Sequence, residues 1–317
     1  MSRSSGARLP LVLVPVRADD AALDRCLAAL ERSTPPGTRV WLADDAQVGP
    51  RAHALIEHWC AHTRLQADYT RRSVGVGETA HVAEALAACG NADVAVLASD
   101  AVPTPGWLER MAAALADDRA IATITPWCNA GETASWPRVA RAARAAPIPH
   151  DLDRIAAAAA SLPTSAPELP AAVGHAVLLR GVARQRAGGV DATGFRSWQA
   201  ALTDLSLRLS GLGWRNALCE SAFVARLHEG TMVDGDVEAL AVRWPDWHAR
   251  LANFLMRDPL HARRERLSQR SAELAHADRQ HDLFDDDGDA GPAATVTFGV
   301  QPAFHRAASA APDALPA

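Results

Sequence analysis

The feature that most limits how this chain can fold is the alternation, over residues 9–115, of short apolar runs with segments of helical period. LPLVLVPVRADD reads as a strand running into an acidic turn, and residues 21–32 then bring Leu23, Leu27 and Leu30 to one helical face. RVWLADDA is a second strand ending in paired acids, and the helix predicted over residues 50–63 carries Leu55, Ile56 and Trp59. A short strand near residues 65–69, a glycine turn at 74–77 and a helix over 78–89 form a third unit. Strands that alternate with helices in this way predict an α/β domain on a mostly parallel, layered sheet.

The fourth run, VAVLASDAVPTPGW at residues 94–107, is short, rich in Val and suited to a strand buried on both faces. Pro103 and Pro105 are expected to stop it, and Trp107 to begin a helix. Asp100 then falls at the carboxyl end of a buried strand, where open α/β sheets bind their ligands. An aspartate there either reaches a ligand or caps the next turn through nearby backbone.

Beyond residue 115 the pattern gives a strand at 120–126, an irregular loop at 127–138 and an Ala-rich insertion at 140–170 with one helix at 152–161. A strand at 171–180, a helix at 197–212 and a short strand at 223–227 ending at His228 follow. Residues 245–267 form an amphipathic helical segment broken at Pro259. The expected organisation is a flexible N-terminus at 1–8, one domain at 9–244, a helical extension at 245–280 and a mostly disordered tail at 281–317.

A formal charge of -5, with Arg spread along the chain, leaves no electrostatic footprint for nucleic acid. Cys26, Cys60, Cys89, Cys128 and Cys219 are scattered, without the close pairs of a zinc site or disulfide framework, and suit a reducing, cytoplasmic setting. The apolar residues 9–16 lack a cleavage site, and no run approaches the roughly 20 apolar residues of a membrane span, so any membrane contact is expected to be peripheral.

Several motifs weaken on inspection. Gly75 and Gly77 give half of a dinucleotide fingerprint without the third glycine, His58 and His62 lack the order of a zinc-protease helix, and the acids at 282–289 lack calcium-loop spacing. A turn, a solvated helix face and an acidic turn explain them. Asp44, Asp45, Asp100 and His228 make a more informative set, because all are expected at strand ends. Carboxylate, imidazole and diphosphate oxygens together suit Mn²⁺ or Mg²⁺.

LVLVPVRADDAALDRCLAAL, VWLADDAQ and VAVLASDAVPTPGWLERMAAAL, followed in order by AAVGHAVLLRG, GGVDATGF and TDLSLRLSGLGWRNALCESAFVARLHEG, resemble the inverting GT-A-type glycosyltransferases of family 2. The resemblance implies a Rossmann-like mixed sheet flanked by helices, with a helical C-terminal extension. It also implies sugar transfer from a nucleoside-diphosphate donor to a hydroxyl of a glycan, lipid-linked or protein acceptor. By it Pro15 and Val16 lie under the nucleotide, Asp44 and Asp45 face the nucleobase, Ser99 lines the donor site, and Asp100 and His228 hold a divalent metal. Two positions depart from the family pattern: Ala98 stands where relatives carry a second acid or Asn, and Ala201 and Leu202 replace the acidic motif that supplies the catalytic base. Asp204 is the acid that survives nearby, which makes it the base candidate and leaves a second reading, a lapsed enzyme that binds nucleotide sugar or glycan.

Overall fold

The structure, a computed structural model, describes residues 9–130, 132–139, 147–228, 230 and 232–285, with side chains through residue 277. The expected flexible residues 1–8, residues 140–146 of the Ala-rich insertion and residues 286–317 of the expected tail lie outside it. One compact unit extends to His276, and of the second, Ala277–Ala317, only the end of a helix is described.

The three expected strand–helix units form as β1 (Leu11–Val16) and α1 (Asp20–Ser33), β2 (Arg39–Asp44) and α2 (Pro50–His62), and β3 (Gln66–Arg71) and α3 (Glu78–Ala88). β4 (Val94–Leu97) is buried along its whole length and ends three residues before Asp100. The prolines do not end the extended chain. Ala101–Pro103 continue as β5, pairing antiparallel with a later strand at the sheet edge, where a residue without an N–H is tolerated. The expected helix then starts at Trp107 as α4 (Trp107–Asp117).

β6 (Ile121–Trp127) and α5 (Leu152–Ala160) match their predicted places within a residue. A two-residue strand, β7 (Glu168–Leu169), precedes β8 (Ala176–Leu179), which is much shorter than the run expected at 171–180. α6 (Gly181–Arg186) and α7 (Trp198–Gly211) follow. The last strand, β9 (Arg215–Arg226), is twelve residues long instead of the five expected at 223–227. Its Arg, Asn, Glu and Ser residues hid it from an apolar pattern, yet eleven of its twelve positions are buried. α8 (Asp236–Arg243) was not foreseen, and α9 (Trp247–Arg257) and α10 (His261–Asp285) flank the expected break at Pro259. α10 runs through Asp285, so residues 281–285 are helical and the first acids of the 282–289 turn fall on a helix.

The sheet order is β3-β2-β1-β4-β8-β6-β9-β5, with β7 beside β9. β1 to β4 are mutually parallel, β8 runs against β4, and β6 and β9 run against β8. One edge therefore collects the carboxyl ends of β1, β2, β4, β6 and β9 and the amino end of β8. Val16, Asp44, Leu97, Trp127 and Arg226 all terminate there, which is the common edge the sequence pattern implied. Leu23, Leu27, Ile56, Trp107 and Met111 cover one sheet face and Val82, Leu86, Trp198 and Leu202 the other. Each such fully buried side chain stabilises the fold by about 1.5–3 kcal/mol.

Candidate functional site

The common edge is stitched together by backbone and side-chain bonds across distant segments. The Arg17 amide, just past β1, donates to Ser99 Oγ at 3.2 Å, joining Val16 to the turn after β4. The Ala98 amide donates to the His175 carbonyl at 2.9 Å, and the Ala101 amide closes the turn onto the Ala98 carbonyl. The turn thus presents Asp100 toward the end of β9, where the Leu227 amide donates to the Asp100 carbonyl at 3.1 Å.

Asp100 is 6% exposed, and its carboxylate is engaged. Arg226 Nε lies 3.2 and 3.0 Å from its two oxygens, and the His228 amide donates to Oδ2 at 3.1 Å. Asn129, after β6, grips the backbone of Arg226 at both polar atoms, accepting from its amide at 2.8 Å and donating to its carbonyl at 3.0 Å. Burial leaves each charge no better partner than the other, so the pair fixes the end of β9 against the turn.

His228 reaches Asp100 through its backbone, while its ring points elsewhere. Nε2 lies 3.1 Å from Asp19 Oδ2, and the His228 side chain is largely exposed. Asp19 is the N-cap of α1, accepting from the Ala22 amide at 3.0 Å. That amide, and then the His228 ring, hold the Asp19 carboxyl below its usual range.

The paired acids after β2 are also occupied. Asp44 accepts from the Gln47 amide at 2.7 Å and the Tyr69 hydroxyl at 2.9 Å, with Arg71 Nε at 3.4 Å. Burial, and then the bond to Asp44, push the Tyr69 hydroxyl up to about 12. Asp45 accepts from the Val76 amide at 2.9 Å and the Gly77 amide at 2.8 Å, so its carboxylate organises the loop before α3. That contact explains the two glycines: Gly77 has φ +97, and a Cβ on Gly75 would meet the Asp45 carbonyl oxygen at 2.8 Å. They shape a turn around Asp45, as the incomplete fingerprint suggested.

Asp204, the base candidate, is fully buried on α7 and bound by three donors: Arg208 Nε at 2.8 Å, Trp244 Nε1 at 3.0 Å and Arg243 Nη1 at 3.2 Å. It braces α7 against the residues at the end of α8. Leu202 is 1% exposed and packs with Leu13, Val96, Val177 and Trp198 under the sheet. Neither side chain is placed to take a proton.

Residues that the sequence pattern did not single out complete the site. A Cβ on Gly230 would come within 2.8 Å of both Arg226 Nη1 and Gln199 Oε1, so both side chains pack closely against this glycine. Gln199 Nε2 donates to Glu132 Oε1, in the loop after β6. Glu132 has φ +40, a strained conformation for a residue with a side chain. A signal for Arg226 did exist: an Arg ending the apolar run AFVAR needs an acid, and Asp100 stands directly before β5, which pairs with β9.

Two of the solved structures of similar fold contain Mn²⁺. Among the described residues no three His, Cys, Asp or Glu side chains converge on a metal position. Asp100 is paired with a guanidinium, the His228 ring is held at Asp19, and position 98 is Ala. As the side chains stand, Asp100 and His228 face other partners and share no metal position, so even with phosphate and water filling the remaining places the set does not fit a divalent ion.

Residues 11–161 match the family model described as Glycosyl transferase family 2. No curated protein sequence matches the chain. Among solved structures it is similar to GalNAc-T7 with UDP, GalNAc and Mn²⁺, at 14% identity and TM-score 0.56, over 87% of this chain and 58% of that one. It is also similar to the mannosyltransferase PcManGT from Pyrobaculum calidifontis in complex with GDP-Man and Mn²⁺, at 16% identity and TM-score 0.52, over 86% of this chain and 76% of that one. A third, S. aureus TarS 1-349 in complex with UDP-GlcNAc, aligns at 12% identity and TM-score 0.50, over 73% of this chain and 64% of that one. The chain thus spans less than two thirds of the GalNAc-T7 chain and shares the GT-A glycosyltransferase fold.

Proposed function

We propose that the protein transfers a sugar from a nucleoside-diphosphate donor to an acceptor hydroxyl, with the donor seated on the edge where β1, β2, β4 and β9 end. The observation that carries this reading is the convergence of Val16, Ser99, Asp100 and Arg226 there, within a chain whose residues 11–161 match a glycosyltransferase family. Pro15 and Val16 support the nucleotide from below, Asp44 and Asp45 shape the loops around the base, and Ser99 lines the turn toward the diphosphate. The relatives bind UDP, GDP-Man or UDP-GlcNAc, which supports the donor class. Asp100 and His228 hold no metal in this reading, because a guanidinium occupies the first and Asp19 the ring of the second.

The chemistry is an inverting displacement. The acceptor oxygen bonds to the anomeric carbon, the bond from that carbon to the phosphate oxygen breaks, and its electron pair leaves with the nucleoside diphosphate. The hydroxyl proton passes to a carboxylate. Asp204 is saturated by donors, whereas Glu132, in the loop after β6, accepts from Gln199, which packs with Arg226 against Gly230, so we assign that role to Glu132. The acceptor hydroxyl belongs to a glycan, a lipid-linked group or a protein.

Among the described residues no helix is long and apolar enough to cross a membrane. All five cysteines are free, and burial pushes the Cys128 thiol up to about 12 and the Cys219 thiol up to about 11, so both stay protonated. We place the protein in the cytoplasm on these grounds, with nucleic acid outside its partners and any membrane contact peripheral.

The buried Leu202 favours a second reading, a fold that binds nucleotide sugar without turnover. Nucleotide release separates the two. With UDP- and GDP-sugars and a panel of hydroxyl acceptors, the enzyme reading expects acceptor-dependent release. Thermal stabilisation by a donor, with release no faster than without protein for every acceptor, would leave only the binding reading.

A further inference from the structure

Building on the donor reading above, we infer that Arg226 is the cation that receives the donor diphosphate, so that nucleotide binding at this site needs no divalent metal. Among the described residues Arg226 is the one positive side chain paired with Asp100, and both are almost wholly buried, with side chains 5% and 8% exposed. The pairing uses Nε alone. Nη1 and Nη2 make no hydrogen bond among the described residues, and Nη1 packs with Gln199 Oε1 against Gly230, where an added Cβ would lie 2.8 Å from each. A guanidinium whose one edge is held by a carboxylate and whose outer donors are free suits a phosphate, which accepts parallel N–H bonds from such a fork.

Charge and ligand count point the same way. Asp100 and Arg226 together carry no net charge, so a divalent ion drawn to Asp100 would sit against a buried guanidinium in a medium that screens repulsion poorly. To bind there it would have to displace Arg226 and also recruit the His228 ring from Asp19. Ala98 offers no second carboxylate, although a lone acid beside a metal leaves most positions to water and phosphate. Ala98, which supplies no acid, and Arg226, which neutralises Asp100, act in the same direction: both keep low the negative charge that would attract a metal. Asn129 holds the Arg226 backbone at its amide and its carbonyl, so the guanidinium is positioned before any ligand arrives.

The test is calorimetric titration of the full chain with UDP and with GDP, in EDTA and in Mn²⁺, with uridine and guanosine as controls. The expected result is that the tighter nucleotide binds within about threefold of the same affinity in both buffers, against a loss of tenfold or more if a metal bridged the phosphates. The diphosphate should outbind its nucleoside in EDTA. Because Arg226→Gln alone strands a buried carboxylate, the variant pair is Arg226→Gln/Asp100→Asn together with Arg226→Lys. Both should keep a cooperative thermal transition, and the first should lose at least about tenfold in diphosphate affinity while nucleoside affinity holds. Binding only in Mn²⁺ would overturn the inference and leave the donor reading standing. Unchanged diphosphate binding by the folded double variant would overturn it too. If neither nucleotide binds in either buffer, the donor reading fails and this inference falls with it.

Discussion

Two acids separate structure from chemistry at the residue scale. Asp204 accepts from three donors at the centre of a buried cluster, whereas Glu132 lies in a strained loop and accepts from Gln199, which packs with Arg226 against Gly230. Replacing Asp204 by Asn removes a charge that holds two arginines, and urea unfolding should show a loss of about 3–5 kcal/mol with nucleotide affinity retained. Glu132→Gln should act on the chemistry instead: kcat falls by about 100-fold to 10,000-fold while donor affinity is unchanged. Normal turnover by Glu132→Gln would remove Glu132 from the reaction. Asp100 and Asp45 were visible in the sequence because an acid that ends an apolar strand is conspicuous. Their partners were not. The side chain that satisfies Asp100 comes from 126 residues away, and the amides that occupy Asp45 come from a turn whose glycines first suggested a nucleotide fingerprint.

Elements were legible wherever burial on both faces produced an unbroken apolar run, as in β1 and β4, or a clear helical stripe, as in α1. β9 escaped because its polar side chains are satisfied internally: Asn216 bonds Thr123 and Ser206, and Glu220 accepts from Ser165 and pairs with Arg263. β5 escaped because a strand edge can use a proline that an interior strand cannot. α7 shows how position along an element outweighs alignment by motif. Leu202 occupies the place where the family pattern expects an acid, but its helix turns it under the sheet, against Leu13, Val96 and Trp198. Leu202→Asp therefore should not restore a base. It should cost more than about 3 kcal/mol, from lost apolar burial and an unpaired buried carboxylate, and lower the thermal midpoint sharply. A stable Leu202→Asp variant that transfers sugar faster than the wild type would show that α7 presents this position to the cleft.

For the whole molecule, a buried titratable group beside the edge that gathers the strand ends registers the Arg226 guanidinium. His175 precedes β8, with its carbonyl bonded to the Ala98 amide, and it has no exposure. Burial first, and then the charge of Arg226, lower its pKa from the ordinary 6.5 to about 3. Folded protein therefore keeps the ring neutral through the range in which the unfolded chain takes up a proton. Because the unfolded state binds more protons between those two values, His175 leaves stability untouched above pH 6.5 and reduces it as pH falls from 6.5 toward about 3. The slope approaches about 1.4 kcal/mol per pH unit for this one group. Urea unfolding at pH 7.5, 6.0 and 5.0 measures it above the range where most carboxylates titrate. Wild-type stability should fall across those points, and His175→Gln, which cannot gain a proton, should give a flatter profile even if its stability at pH 7.5 is lower. Matching acid slopes in the two proteins would mean that His175 protonates as readily in the fold as in the unfolded chain, and that neither burial nor Arg226 governs it.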